Sequence, residues 1–210
     1  MSNTSQDDAD ILVVAATARE LATPNGWRTA LCGVGPVDAA AATAAAIAIQ
    51  RPAAILHVGI AGAQRARRIA PASLVIGTVA RYVDLVIDPA WAPNHVHASA
   101  HLLAAVQRAL PTAPAIPIGT SARVGGSLGT SSSTADSAIA ADHCEVEAME
   151  GFAVLRAAER AGVPAIEVRA ISNDIEEQDR ARWHFDEAFA AITAATPGLV
   201  TAIREALAHA

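Results

Sequence analysis

The stretch from Glu145 to Asp174 constrains this chain more than any other. Met149, Phe152, Ala153 and Leu155 recur at helical spacing, and Gly162 followed by Pro164 is a stop signal. Ala165–Ile171 follows at once: short, β-branched, bounded by Pro and by Ser-Asn-Asp, and therefore a strand. A helix handing over to a buried strand is the repeating unit of an α/β layer structure. Ligands of such sheets sit beyond the carboxyl ends of the strands. Glu150, opening the helix, and Asn173, closing the strand, project there.

The rest of the chain repeats the alternation. Ile11–Ala15 reads as a buried strand, with Thr17–Glu20 starting the turn after it. A short strand is expected over Trp27–Cys32, and Gly33-Val-Gly-Pro-Val-Asp38 opens an Ala-rich helix to about Gln50, with Pro36 in its first turn. Ala53–Val58 is a strand ending in Gly59-Ile-Ala-Gly62, and Leu74–Tyr82 is another. A Pro- and His-rich loop covers Asp88–His97, and Ser99 is placed to cap a helix over His101–Leu110. Ala115–Ile118 and Ala122–Val124 are weaker strands, Gly125–Ser133 a Gly/Ser loop, Thr134–Ala141 a short helix and Cys144–Ala148 a strand. Phe185–Ala208 is helical, with Pro197-Gly198 expected to break or kink it. The expected fold is a single α/β domain over residues 10–210, a central mixed, largely parallel twisted sheet flanked by helices, after a disordered tail at 1–9.

Composition removes several function classes. The net charge of −6 argues against nucleic acid or an anionic membrane as partner. All 15 basic residues are Arg, which excludes a Schiff-base or P-loop lysine. Cys32 and Cys144 are too few and too far apart for a disulfide framework or a zinc site. No signal peptide or spanning segment is legible, so the expectation is a cytoplasmic protein.

Glu147-Ala-Met-Glu-Gly-Phe152 with Arg169-Ala-Ile-Ser-Asn173 resembles the signature of the nucleoside phosphorylase and nucleosidase superfamily, and this variant is most similar to the futalosine hydrolase family within it. That family removes hypoxanthine from futalosine in an alternative menaquinone pathway. The resemblance implies that Glu150 holds the ribose diol, two hydroxyl donors meeting two carboxylate acceptors, with Met149 beneath the sugar. It implies that Glu20, after the first strand, activates water for C–N cleavage. The chemistry implied by the resemblance calls for no cofactor or metal. The plain alternatives are a helix-dipole acid at Glu150 and a solvated acid beside Arg19 at Glu20.

Asn173 bears on the substrate class. Hypoxanthine presents two acceptors, N7 and O6, whereas adenine presents an acceptor and a donor. An amide NH2 donates twice and suits the 6-oxopurine; adenosine-type nucleosidases carry aspartate there. The alternative is that Asn173 caps a turn and Asp174 does the acid work. Ile60 stands where the phosphorylases commonly have serine, which favours water over phosphate as nucleophile. The implied pocket further includes Ala61, Gly62, Ala148 and Ser172, Phe185 as an aromatic lid, and Thr130 on the Gly/Ser loop. Arg81, Arg67 and Arg182 are candidates for the benzoate of futalosine. A homo-oligomer acting on a small nucleoside is the implied assembly.

Other functions compete. A methylthioadenosine/adenosylhomocysteine nucleosidase or an inosine-type phosphorylase would share the fold, and a nucleoside-binding module would share the pocket without turnover. Gly125-Gly-Ser-Leu-Gly129 matches a serine-hydrolase elbow but lacks the helix that must follow it. Gly33-Val-Gly-Pro-Val-Asp38 lacks the third glycine of a dinucleotide fingerprint. His95, His97 and His101 read as a surface loop and helix start in preference to a metal site.

Overall fold

A computed structural model of the chain describes residues 9–85, 87–88, 90–126 and 144–209. Eight strands, β1 (Ile11–Ala15), β2 (Arg28–Leu31), β3 (Ala54–Ala63), β4 (Leu74–Tyr82), β5 (His95–His97), β6 (Ala115–Thr120), β7 (Val146–Ala148) and β8 (Ala165–Asp174), form one sheet. Among the described residues four α-helices surround it: α1 (Pro36–Ile49), α2 (Ala100–Ala109), α3 (Gly151–Arg160) and α4 (Phe185–Ala208). The sheet order is β2-β1-β3-β7-β6-β4-β5, and β8 pairs with both β3 and β4. That double pairing closes β3, β7, β6, β4 and β8 of the expected mixed, largely parallel sheet into a ring. Most pairings are parallel; β3–β7, β4–β5 and β4–β8 run antiparallel.

Period-two alternation sorts the core. Ile11, Val13 and Ala15 face one way with Leu56, Val58, Ile166 and Val168, against Leu102 and Val106 of α2 and Ile192, Leu199 and Ile203 of α4. Leu12 and Val14 face the other way with Ile55, against Ala39 and Ile47 of α1 and Val154 and Leu155 of α3. Ala61, Ala63, Val75, Ile118, Val146 and Ile171 form a third cluster among the ring strands. Burying both faces of a central strand explains why β1 reads as an unbroken apolar run.

Several expectations change. β3 runs on through Gly59-Ile-Ala-Gly62, because β8 and then β7 pair along that segment and keep it extended. β8 likewise runs on to Asp174. The Pro/His loop contains β5, whose His95 to His97 hydrogen-bond to β4. Ala122–Val124 is not a strand: Asp84 accepts from the Ala122 N–H at 2.5 Å and holds the chain in a turn. β7 begins at Val146, not Cys144. Helix α2 starts as expected, but Ser99 caps it through its backbone carbonyl, its hydroxyl lying against His101 Nδ1 at 3.0 Å. Pro197 sits inside a continuous α4; it is exposed, so the hydrogen bond it cannot make is lost on the solvent side. The expected tail (residues 1–8 of it) and helix Thr134–Ala141 lie outside the described residues, as does most of the Gly/Ser loop.

Candidate active site

Three features of the backbone bring the site together. The 3-10 turn Ala18–Glu20, straight after β1, is held by a capping box: Glu20 Oε2 accepts from the Thr17 N–H at 2.8 Å and its hydroxyl at 2.9 Å. This leaves Oε1 to accept from the Ile60 N–H of β3 at 3.2 Å. Glu150 is the residue before α3, and its Oε1 accepts from the Gly35 N–H at 3.2 Å, where the loop into α1 takes φ 92°. On β8 the register slips: Ala61 is opposite Ile171 but Gly62 is opposite Asn173, so Ser172 is an extra residue. The bulge turns Ser172 and Asn173 both towards one cavity.

That cavity encloses about 280 Å³, near the lower end for small-molecule sites of roughly 300–1,000 Å³. Its buried floor holds Glu20, Ala61, Glu147, Ala148, Glu150, Ser172 and Asn173. Ile60, Gly62, Met149 and Phe185 complete the expected set within its wall. The Asn173 amide is oriented on both sides. Its Oδ1 accepts from the Ser172 hydroxyl at 2.7 Å and its Nδ2 donates to the Asp174 carbonyl at 2.8 Å. One N–H of Nδ2 remains for a ligand.

Some expected residues lie elsewhere. Asp174 is not in the cavity wall; its half-exposed carboxylate pairs with Arg65 Nε at 2.9 Å. Arg81 lies in β4 opposite Gly119 and His95 and is not in the cavity wall. Arg67 pairs with Glu145, and Arg182 with Glu177 and Asp179. Thr130 and Ser127–Gly129 of the elbow-like sequence lie outside the described residues.

Behind the floor is a buried ion cluster that the sequence did not announce. Arg169, with 1% of its side chain exposed, donates from Nε to Glu167 Oε1 at 2.7 Å and sets Nη1 at 3.4 Å from Glu150 Oε2. Its Nη2 meets His57 Nε2, while His57 Nδ1 lies 3.0 Å from the Val14 carbonyl. Since a carbonyl only accepts, Nδ1 carries the proton and Nε2 receives from Arg169. Burial, then the Arg169 charge, holds His57 well below the usual histidine range, so it is neutral. Glycine makes room for these groups: a Cβ on Gly59 would lie 2.2 Å from Arg169 Nη1 and 2.8 Å from Glu20 Oε1. A Cβ on Gly151 would lie 2.3 Å from Glu167 Oε2. Alternation along β8 puts Glu167 and Arg169 on the face opposite Ile166, Val168 and Ala170, as a polar face would read; a charged pair inside a strand of a doubly covered sheet is the signal that could have found them.

Burial raises the Glu150 carboxyl above its ordinary value of 4.5, and neighbouring Glu20 and Glu167 add to this; Arg169 and the Gly35 N–H oppose it. Burial likewise pushes the Cys32 thiol up to about 12, so it stays protonated. Glu20, Glu150 and Glu167 against Arg169 leave the cavity side of the cluster electronegative. Such a field favours developing positive charge and repels anions. The rim is apolar and aromatic, with Val34 and Val124 exposed, Trp183, Phe185 and Phe189 half-buried, and Arg180 exposed beside them.

A buried acidic floor, an amide aimed by a β-bulge and a partly aromatic wall thus meet in one cavity. The chain belongs to the phosphorylase superfamily, whose family model matches residues 28–205. It is similar to the futalosine hydrolase of Streptomyces coelicolor, 35% identical over an alignment of 199 residues, with 89% of this chain and 83% of that one covered. Among solved structures, the futalosine hydrolase of Helicobacter pylori strain 26695 superposes with a TM-score of 0.75 at 14% identity, over 93% of this chain and 99% of that one. A 5′-methylthioadenosine/S-adenosylhomocysteine nucleosidase from Neisseria meningitidis in complex with methylthio-immucillin-A gives 0.71 at 20% identity, over 93% and 98%. At these identities the structures speak to the fold.

Proposed function

We propose that the chain hydrolyses the N-ribosidic bond of a 6-oxopurine nucleoside, futalosine, releasing hypoxanthine. The observation that carries it is the convergence of Glu20, Glu150 and Asn173, distant in sequence, on the floor of one cavity. Glu150 accepts the ribose hydroxyls, and the Arg169 guanidinium beside it fixes the carboxylate. Glu20, anchored by Thr17 and Ile60, orients the attacking water. Asn173 hydrogen-bonds to the departing base through its remaining N–H; Glu20 takes a proton from the attacking water, and the base takes its proton from solvent water. The 35% identity to a futalosine hydrolase supports the same substrate. As the C–N bond lengthens the sugar gains oxocarbenium character, which the surplus of buried carboxylate stabilises.

Water is favoured over phosphate for two reasons. Ile60 presents an apolar side chain to the cavity. The buried cation there, Arg169, is already engaged by Glu167, Glu150 and His57. An adenine-type substrate is disfavoured if the one remaining N–H of Asn173 faces position 6 of the purine, where adenine carries a donor amine and hypoxanthine an acceptor oxygen.

The uncharged outer stripe of α1, Val37, Ala41, Ala44, Ala45 and Ala48, lies exposed next to Val34 on the cavity rim. It supports a homo-oligomer in which a second copy covers that rim. In the resembled family the reaction serves menaquinone biosynthesis, and we place it in the cytoplasm. Among the described residues no helix is long and apolar enough to cross a membrane.

Incubation with futalosine and with methylthioadenosine, with and without added phosphate, tests the proposal. Hypoxanthine release independent of phosphate is expected. Faster adenine release, or dependence on phosphate, overturns it.

A further inference from the structure

Among the described residues the cavity wall holds one cation, Arg180. Arg180 is exposed, lines the cavity, and holds its guanidinium 5.5 Å from the centre of the Trp183 ring. Among the described residues it has no carboxylate partner. The acids nearest in sequence, Glu177 and Asp179, are engaged by Arg182. Arg19, at the other end of the same aromatic row, is neutralised by Asp186 at 2.5 Å and sits 4.3 Å over the Phe189 ring. Between these two arginines lie Trp183, Phe185 and Phe189, with centroids 5.3 and 6.1 Å apart. In a chain that is only 3% aromatic, two of the three phenylalanines and one of the three tryptophans thus line one stretch of rim. The Trp183 indole is fixed by donating to the Glu177 carbonyl at 3.0 Å, which holds the face on which Arg180 rests.

We infer that Arg180 and Trp183 form the subsite for the 5′ substituent of the substrate, and that they select a flat apolar group ending in a carboxylate. A planar guanidinium accepts a carboxylate with two parallel hydrogen bonds, and the aromatic row supplies the stacking surface for a ring that leads to it. The cation is stacked and unpaired in the free protein, so it surrenders no ion pair on binding. A neutral 5′ group such as methylthio would leave this fork unanswered. The subsite deepens the nucleosidase proposal and rests on it for the identity of the base and sugar. It also replaces Arg81, Arg67 and Arg182 as the group facing the benzoate.

The test compares the parent protein with R180Q and R180K on futalosine and on inosine, which shares base and ribose but lacks the benzoate. R180Q should lower the ratio of kcat/KM for futalosine over inosine by roughly 10- to 100-fold, through KM. R180K should restore part of it, because the charge returns without the fork. An unchanged ratio in R180Q overturns the subsite, as does a loss carried by kcat alone. Calorimetry with futalosine separates this inference from the reaction. Weaker binding by R180Q, with no turnover by the parent, keeps the subsite and removes the hydrolase; equal affinities remove the subsite whatever the turnover.

Discussion

Replacing Gly59 with alanine adds one carbon at the point where the site has no room for it. That Cβ would stand 2.2 Å from Arg169 Nη1 and 2.8 Å from Glu20 Oε1, against about 3.4 Å for an ordinary contact. Arg169 is fully buried and tied to Glu167, Glu150 and His57, so it cannot swing into solvent. Overpacking alone costs about 1–3 kcal/mol, and parting a buried ion pair about 3–5 kcal/mol. Together these make about 4–8 kcal/mol, and with each kcal/mol lowering Tm by about 2–4 °C at this chain length a fall of roughly 8–32 °C is expected. Activity should suffer separately, because relief requires Glu20 to leave the Ile60 N–H; a displacement near 1 Å is worth about 100-fold in rate. Differential scanning fluorimetry and hypoxanthine release measure the two effects. Gly198→Ala is the control: nothing lies within 4 Å of its Cβ, it is exposed within α4, and it should stabilise by about 0.5–1 kcal/mol. A Gly59→Ala protein melting within about 2 °C of the parent, with full activity, would refute the proposed crowding.

Glu20→Gln should lower kcat by about 10²–10⁴ while leaving the Kd for substrate largely intact; full turnover would remove Glu20 from the mechanism. In Asn173→Asp the oxygen replacing Nδ2 would face the Asp174 carbonyl across 2.8 Å, which favours a protonated carboxyl. That variant should shift preference from 6-oxopurine towards 6-aminopurine nucleosides by about 10- to 100-fold, and an unchanged ratio of hypoxanthine to adenine release counts against the assigned role. Glu150 must be ionised to accept both ribose hydroxyls, and burial raises its pKa. The acid limb of kcat/KM should therefore lie above the ordinary 4.5, activity falling as pH drops through the raised value. Linkage has the opposite sense for stability: a raised acid contributes fully below its unfolded value, and that contribution is lost as pH rises through the folded one. A pH profile flat down to 4.5 would contradict this.

The local elements were legible because their signals are local. The apolar run of β1, the Gly-Pro start of α1, the β-branched β4 and the Gly-x-Pro stop after α3 each declare themselves within a few residues. What was hidden depends on distant partners. Gly59 and Gly62 look like a turn until β8 and β7 are laid beside them, and glycine there makes room for Arg169 and for Asn173. The Ser172 bulge exists only as a register between two strands more than a hundred residues apart. It is why Asn173 enters the cavity and Asp174 does not. Arg180 was equally hidden: in sequence it differs from Arg182 by two positions, and only the fold shows which one has its carboxylates.

A crystal of the Glu20→Gln protein soaked with futalosine tests the central claim most directly. The account predicts hypoxanthine O6 or N7 within about 3 Å of Asn173 Nδ2, with both ribose hydroxyls on the Glu150 carboxylate. A purine bound away from the Ser172 bulge, or a ribose that leaves Glu150 without a hydroxyl partner, would contradict it.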